Sequence, residues 1–376
     1  MSLKLPNKIR FIFVAFLLFF IFQDVNAQTF NRVENTVGLG VLRENNGVAV
    51  ADYDGDNDLD IFVVAKAKDD PTSPKTLSRL FRNNNDGTFT DVTEIAGFTN
   101  LLLQEEGGGE YFGLAGNKNG AFWGDFNNDG FPDLFLTYSL KVQLWQNLGN
   151  GTFVNITESA GFTTFNECYN TGATWFDYNN DGYLDIYIND WSGCGTNQLY
   201  KNNGDNTFED VTVEIGLFSD VSRHSYTALP FDFNQDGFMD LLVSNDLSKA
   251  NYVYINNNGN SFVEQAADYG LATMGDDMGI TIGDHNNDGH FDLFITTIDQ
   301  NFFLRNNGDN SFSEQAEAYE INATGWSWGT RFSDFDLDGD EDLFIANGYD
   351  LGNRSAEQNF YFRNAFVEGE DKFYNV

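Results

Sequence analysis

The sequence predicts an all-β fold, a β-propeller of four-stranded blades in which each blade carries an Asp-rich loop suited to calcium. Three observations lead there. A nine-residue Asp-rich element occurs six times, with first residues 73, 52, 55, 52 and 50 positions apart. Each copy is followed by a short apolar run such as Leu134 to Leu136, Ile186 to Ile188 or Leu241 to Val243, and later by an aromatic-rich segment ending in Asn. Glycine is abundant at 37 and proline scarce at 5, which signals many tight turns instead of long helices. Four short strands in a period of about 50 residues is the size of a propeller blade. Six complete blades are visible, and residues 28–376 form the repeat domain.

The N-terminus carries Lys4, Lys8 and Arg10, an apolar run from Phe11 to Phe22, and small residues at Val25 and Ala27. This is the pattern of a removable export signal over residues 1–27. The rival, a membrane anchor, would need about 20 apolar residues to span a bilayer. No Cys follows Ala27, so lipid attachment there is not expected. Beyond the signal, Phe30, Val33 and Gly38 repeat the spacing of Phe89, Val92 and Gly97, so residues 29–38 read as a fourth strand lacking its first three. Because the last repeat ends within its own fourth-strand motif, Phe373 to Val376, a seventh blade completed by residues of a longer protein is expected. A six-bladed ring with residues 29–38 added to one blade edge is the alternative.

The loops carry the chemistry. At positions one, three, five, seven and nine they read Asp52, Asp54, Asp56, Asp58 and Asp60; Asp125, Asn127, Asp129, Phe131 and Asp133; and Asp177, Asn179, Asp181, Tyr183 and Asp185. The remaining three read Asp232, Asn234, Asp236, Phe238 and Asp240; Asp284, Asn286, Asp288, His290 and Asp292; and Asp334, Asp336, Asp338, Asp340 and Asp342. Side-chain oxygens at positions one, three, five and nine, with a carbonyl at seven and Gly at six for the turn, can wrap a hard cation. Six to eight oxygens suit Ca²⁺ better than Mg²⁺, so about six calcium ions are expected. An EF-hand is excluded because position twelve is Leu136 or Ile188 instead of Glu and the flanks alternate as strands. A solvated acidic turn would explain one copy, whereas six copies in phase would repel strongly without counter-ions. Asn57 replaces the loop glycine in the first copy, a substitution that the left-handed conformation tolerates. Loops one and six have Asp at all four side-chain positions and are expected to bind more tightly than the others.

The third strand of each unit is read from segments such as Leu80-Phe81-Arg82-Asn83, Leu144-Trp145-Gln146-Asn147 and Val253-Tyr254-Ile255-Asn256. A Gly/Asn/Asp turn then leads to Phe89, Phe153, Phe208, Phe262 or Phe312, which opens the fourth. A lone blade cannot bury both its faces, so blades must stack, and an aromatic content of 16% supplies the contact. Phe122, Trp123, Trp175, Phe176, Trp326 and Trp328 are accordingly assigned to inter-blade core instead of a sugar-stacking platform.

These loops, together with Phe89-Thr90-Asp91-Val92-Thr93-Glu94-Ile95-Ala96-Gly97 and its counterparts, resemble the FG-GAP or VCBS-type repeats of integrin alpha-subunit propellers and of many secreted bacterial proteins. Their alternation is especially similar to the propeller region of the cartilage acidic protein family. The resemblance covers residues 29–376 and implies a propeller with bound metal. For activity it implies only a range: adhesion, ligand binding or, in some cases, polysaccharide cleavage.

A net charge of -37 makes nucleic acid and anionic membrane surfaces poor partners. Catalytic machinery is sparse. Of three His, His285 and His290 sit inside the fifth loop, which leaves His224, beside Arg223 and Tyr226, as the acid/base candidate, with a structural or exposed role as its alternative. The expected function is therefore an exported, calcium-stabilised module, secreted, at the cell surface or periplasmic, that binds an extracellular protein or glycan. The alternative is an extracellular polysaccharide-degrading enzyme of lyase type. Ligand binding is expected on the irregular connectors opposite the Asp loops, residues 98–120, 163–170, 191–196, 218–226 and 271–277. Cys168 and Cys194, each 13 positions from Asp181, are expected to form a disulfide in an oxidising compartment.

Overall fold

The computed structural model describes residues 33–40, 45–65, 78–98, 118–138, 141–162, 169–191, 195–217, 224–348 and 357–376. The export signal, Cys168, Cys194, Arg223 and most of the 98–120 connector lie outside the described residues. Val33–Asn375 forms one compact unit, in which six four-stranded antiparallel sheets are arranged as propeller blades. Blade one contains β1 (Asn45–Ala51), β2 (Asp60–Ala65), β3 (Arg79–Asn83) and β4 (Phe89–Asp91). Blade two contains β5 (Lys118–Gly124), β6 (Asp133–Tyr138), β7 (Lys141–Asn147) and β8 (Phe153–Asn155). Blade three contains β9 (Asn170–Phe176), β10 (Asp185–Asp190), β11 (Gln198–Asn202) and β12 (Phe208–Asp210).

In blade four, β13 (Ser225–Phe231) and β14 (Asp240–Asn245) are followed by β15 (Lys249–Ala250), β16 (Tyr252–Asn256) and β17 (Phe262–Glu264). A single helical turn, α1 (Ala266–Tyr269), precedes β18 (Met274–Gly275), which pairs with β15 outside the blade. Blade five is β19 (Ile280–Gly283), β20 (Asp292–Ile295), β21 (Phe302–Asn306) and β22 (Phe312–Glu314). Blade six is β23 (Ser327–Ser333), β24 (Asp342–Asn347), β25 (Phe360–Asn364) and β26 (Phe373–Asn375). Among the described residues no helix is long and apolar enough to cross a membrane.

Second strands have buried side chains on both faces, as in β6, β10 and β14, because a neighbouring blade covers each side. Five core clusters fill the gaps between successive blades. Between the first two, Phe62, Leu80 and Phe98 meet Leu134, Trp145 and Phe153. The Phe98 and Phe153 rings stack with centroids 4.7 Å apart. Trp123 and Trp175 pack against these clusters and Phe176 lies within one, as assigned from the sequence.

The turn after each fourth strand docks on the next blade. The amide of Phe153 donates to Ala96, that of Phe208 to Ala160 and that of Phe262 to Ile215, at 2.9, 2.8 and 2.7 Å. Approach is so close that a Cβ on Gly161 would sit 2.6 Å from the Phe208 carbonyl oxygen, and its φ of +96° independently demands glycine. Val33 to Gly38 makes the same turn on blade one, where the Phe89 amide donates to Val37 at 2.8 Å. Val33 to Gly38 thus matches the turns that follow the fourth strands of the other blades, and residues 29–32 lie outside the described set.

On the side opposite the Asp loops, an Asn before or at the start of strand three joins successive blades. Asn197 donates to Ser225 at 2.9 Å, Asn301 to Thr324 at 2.6 Å and Asn251 to Asp277 at 2.6 Å. Asp277 is fully buried with one oxygen unpaired, and burial, helped by nearby Asp246 and Asp276, pushes its carboxyl up to about 7. A folded value above the unfolded one means that the protonated form favours folding, so stability drains away as pH climbs from about 4 to 7. Asp277→Asn, an uncharged mimic, should raise the melting temperature by several degrees at pH 8 and by little at pH 4. Thermal scans at both pH values with an equal gain would contradict this.

Candidate functional site

Antiparallel order puts each Asp loop, between strands one and two, on the same side as the hairpin between strands three and four. The loop winds around its first carboxylate. In loop two, Asp125 accepts from the amides of Asp129 and Gly130 at 3.0 and 2.9 Å. Loops three, four and five repeat this with Asp177, Asp232 and Asp284. Positions four and six are both left-handed, with Asn128 at φ 59° and Gly130 at 89°. Asn57 takes φ 70° in loop one, as expected, while Leu337 holds φ 62° in loop six without the compensation that Asn or Gly would bring. Adjacent loops are tied together: Asn128 donates to the Gly182 carbonyl and Asn180 to that of Gly237, at 2.8 and 3.0 Å.

The loops divide by position three. In loops two to five an Asn there donates to the position-five carboxylate, Asn127 to Asp129 at 3.0 Å and Asn179 to Asp181 at 2.9 Å, with Asn234 and Asn286 alike. An Asp cannot do this. In loop one, Asp52, Asp54 and Asp60 converge with ligand oxygens within 4.8 Å of one another, and in loop six Asp334, Asp336 and Asp342 do the same. One oxygen each of Asp54 and Asp336 is buried with no hydrogen-bond partner. Burial raises both carboxyls, that of Asp336 to about 6. Converging carboxylates with orphaned oxygens fit a hard cation, so these acidic clusters can hold a metal ion.

Position nine has a second task. Asp60, Asp133, Asp185, Asp240, Asp292 and Asp342 are all at most 1% exposed. One oxygen of Asp133 accepts from the Phe126 amide at 3.3 Å and the other from the Asn147 amide at 2.8 Å. Burial pushes Asp133 up to about 8 and Asp185 to about 7. The Asn that ends strand three then reaches the preceding blade. Asn147 donates to Tyr53, Asn202 to Phe126, Asn256 to Tyr178 and Asn364 to His285, all to main-chain oxygens at 2.6 to 2.8 Å. In the sequence this Asn marks only the end of a strand, since its partner lies 76 to 94 residues away.

At position seven, the Phe131, Tyr183 and His290 side chains lie outside the clusters, against Gly149, Gly204 and Gly308, whereas Asp340 belongs to one. Asp56, Asp58 and Asp129 are likewise not in the three-carboxylate groups. Glu368, from the β25–β26 hairpin, joins Asp338 and Asp340, and Arg363 pairs with it. No spacing within the loop announced that residue. His285 is fully buried, with Nδ1 bonded to Asp292 and Nε2 3.2 Å from the Tyr319 hydroxyl. His224 lies on the opposite side, its Nδ1 against the Trp191 carbonyl oxygen.

The FG-GAP-like repeat pattern matches residues 125–188, 177–243, 232–295 and 284–345, each span running from one Asp loop through the first two strands of the following blade. The chain belongs to the FG-GAP repeat family. This FG-GAP propeller is similar to Cartilage acidic protein 1 of Xenopus tropicalis, with 31% identity over 103 residues, which is 27% of this chain and 15% of that protein. Among solved structures it is similar to an Agrocybe aegerita lectin described as recognising non-reducing terminal N-acetylglucosamine. That match has a TM-score of 0.52 at 19% identity and covers 93% of this chain and 84% of the lectin, a likeness of fold.

Proposed function

We infer that this FG-GAP propeller is an exported binding module for an extracellular glycan or protein, held in shape by calcium in its Asp loops. The division of labour between its two sides supports this. On the Asp-loop side, loop amides, carboxylates and neighbouring loops bond to one another, which stiffens the scaffold. On the other side lie the described connector residues, 271–277 among them, together with partly exposed aromatic side chains at Trp191, Tyr226 and Trp328. The glycan recognition described for the lectin of similar fold makes a sugar the first ligand to try. Calcium is the ion these clusters suit, given their all-oxygen donor sets.

A binding screen of the purified mature chain against neutral and charged glycans and cell-surface proteins, with calcium and with chelator, tests the reading. Calcium-dependent binding to a glycan or surface protein is the expected result. Absence of binding in every arm, or release of unsaturated sugar ends from a polysaccharide, would overturn it.

A further inference from the structure

Of the six tryptophans, Trp123, Trp145 and Trp175 pack in or against the inter-blade core. The other three do not. Trp191, Trp326 and Trp328 lie, partly exposed, on the side opposite the Asp loops, which corrects the assignment of Trp326 and Trp328 to core. They belong to a continuous run of rings. Tyr169 meets Trp191 at 6.0 Å between centroids, and Trp191 meets His224 at 5.2 Å and Tyr226 at 6.2 Å. Tyr226 meets Trp328 at 6.0 Å, and Trp328 lies parallel to Trp326 within 5° at 6.1 Å.

The run crosses the propeller. Tyr226 is on the first strand of blade four and Trp328 on that of blade six, so their contact bridges blades that are not neighbours, over the axial end of the first strands. The corresponding residues in blades two and three are Asn119 and Thr171, small polar side chains that bond across to the next first strand, at Asn170 and Ser225. Aromatic side chains at this register are thus a local departure from the repeat, in blades four and six.

The rings are held in place by polar groups. The Trp191 indole N–H donates to Asp246 at 2.7 Å, and Asp246, only 5% exposed, is fixed in turn by the Leu247 amide at 2.7 Å. The backbone of Trp326 donates to Glu357, and the backbone of Ser248 to Asp276 at 3.2 Å. Flat apolar faces beside anchored carboxylates and an imidazole match a pyranose ring, which presents a C–H face and a rim of hydroxyls. Among the described residues, Asp246 and Glu357 bond to ring-bearing residues and Asp276 lies near Asp246, and these carboxylates disfavour uronates and sulfated sugars.

We propose that the ring array formed by Tyr169, Trp191, His224, Tyr226, Trp326 and Trp328 is a binding site for uncharged glycans. The assignment rests on the binding-module reading and adds the place and the sugar class. The test titrates the calcium-loaded chain with cellohexaose, chitohexaose and mannohexaose, with polygalacturonate and heparin as charged controls, and follows tryptophan emission and heat. At least one neutral hexasaccharide should shift the emission. Trp191→Ala and Trp328→Ala should each weaken that binding about tenfold or more, as expected for loss of a stacked face. Trp328→Phe and Trp191→Phe, which keep a ring, should restore most of it and guard against misfolding, checked by melting temperature. Unchanged affinity in the Ala variants, or binding confined to the charged polymers, would overturn the site while leaving the module reading intact. A protein-only partner would do the same, and silence in both screens would remove both readings.

Discussion

Asn256→Ala should destabilise the propeller by about 3–5 kcal/mol, more than any comparable change on its surface. The Asn256 side chain is 1% exposed and makes three hydrogen bonds. Its amide group donates to Tyr178 of the preceding blade at 2.7 Å and to Met239 at 3.0 Å, and its oxygen accepts from Gly259 at 2.8 Å. Alanine keeps the backbone bond to Asp240 but orphans the buried Tyr178 carbonyl, at roughly 1–3 kcal/mol, and removes the partner of the less buried Met239 carbonyl and Gly259 N–H, on top of the cavity it leaves. Asn256→Asp should be worse, since it replaces the double donor with a carboxylate facing two carbonyl oxygens. Asn257→Ala, one residue on and exposed, is the control and should cost under about 1 kcal/mol. Urea unfolding of the three variants decides it, and equal midpoints for Asn256→Ala and Asn257→Ala would refute the role of Asn256 in joining the blades.

Chelation should produce the second large effect, a fall in melting temperature of about 10 °C or more. A loop with Kd near 10 μM in about 1 mM free calcium gains ~2.7 kcal/mol from occupancy, so even two loops contribute on the order of 5 kcal/mol. Loops one and six should account for most of it, because Asp54 and Asp336 have no amide to offer their neighbouring carboxylates. Asp336→Asn should therefore act in opposite directions. In chelator it should raise the melting temperature by a few degrees, by supplying the bond that Asn127 makes to Asp129. In calcium it should shrink the gain, having removed one ligand charge. Calorimetry showing no calcium binding, or identical melting with and without chelator, would sink the metal reading.

The six repeats, their loop positions and their strand order were legible because their signals are local and repeated. Gly130, Gly182, Gly237, Gly289 and Gly339 all sit at position six because that turn requires φ above zero, and each has it. The run Leu134 to Leu136 reads as a short apolar strand, and in the strand that contains it, Asp133 to Tyr138, every side chain is buried. The split between four-Asp and three-Asp loops was equally visible as composition, and it became the split between loops with orphaned oxygens and loops that satisfy themselves. Cys168, Cys194 and residues 1–27 remain expectations read from the sequence.

What the sequence by itself determined is the repeat: a period, a loop chemistry and an alternation that together admit a propeller and little else. What tertiary structure alone decided is which repeated residue meets which neighbour. Asn147 reaches Tyr53 across 94 positions, and no local pattern encodes that distance. Trp175 and Trp328 are both tryptophans on first strands, yet one packs beside Phe126 and Phe208 while the other meets Tyr226 across the axis. A two-residue period says which side chains share a face of a strand. Whether that face meets the next blade or the open end of the axis depends on how six sheets stack, and stacking is set by contacts between residues about fifty or more positions apart.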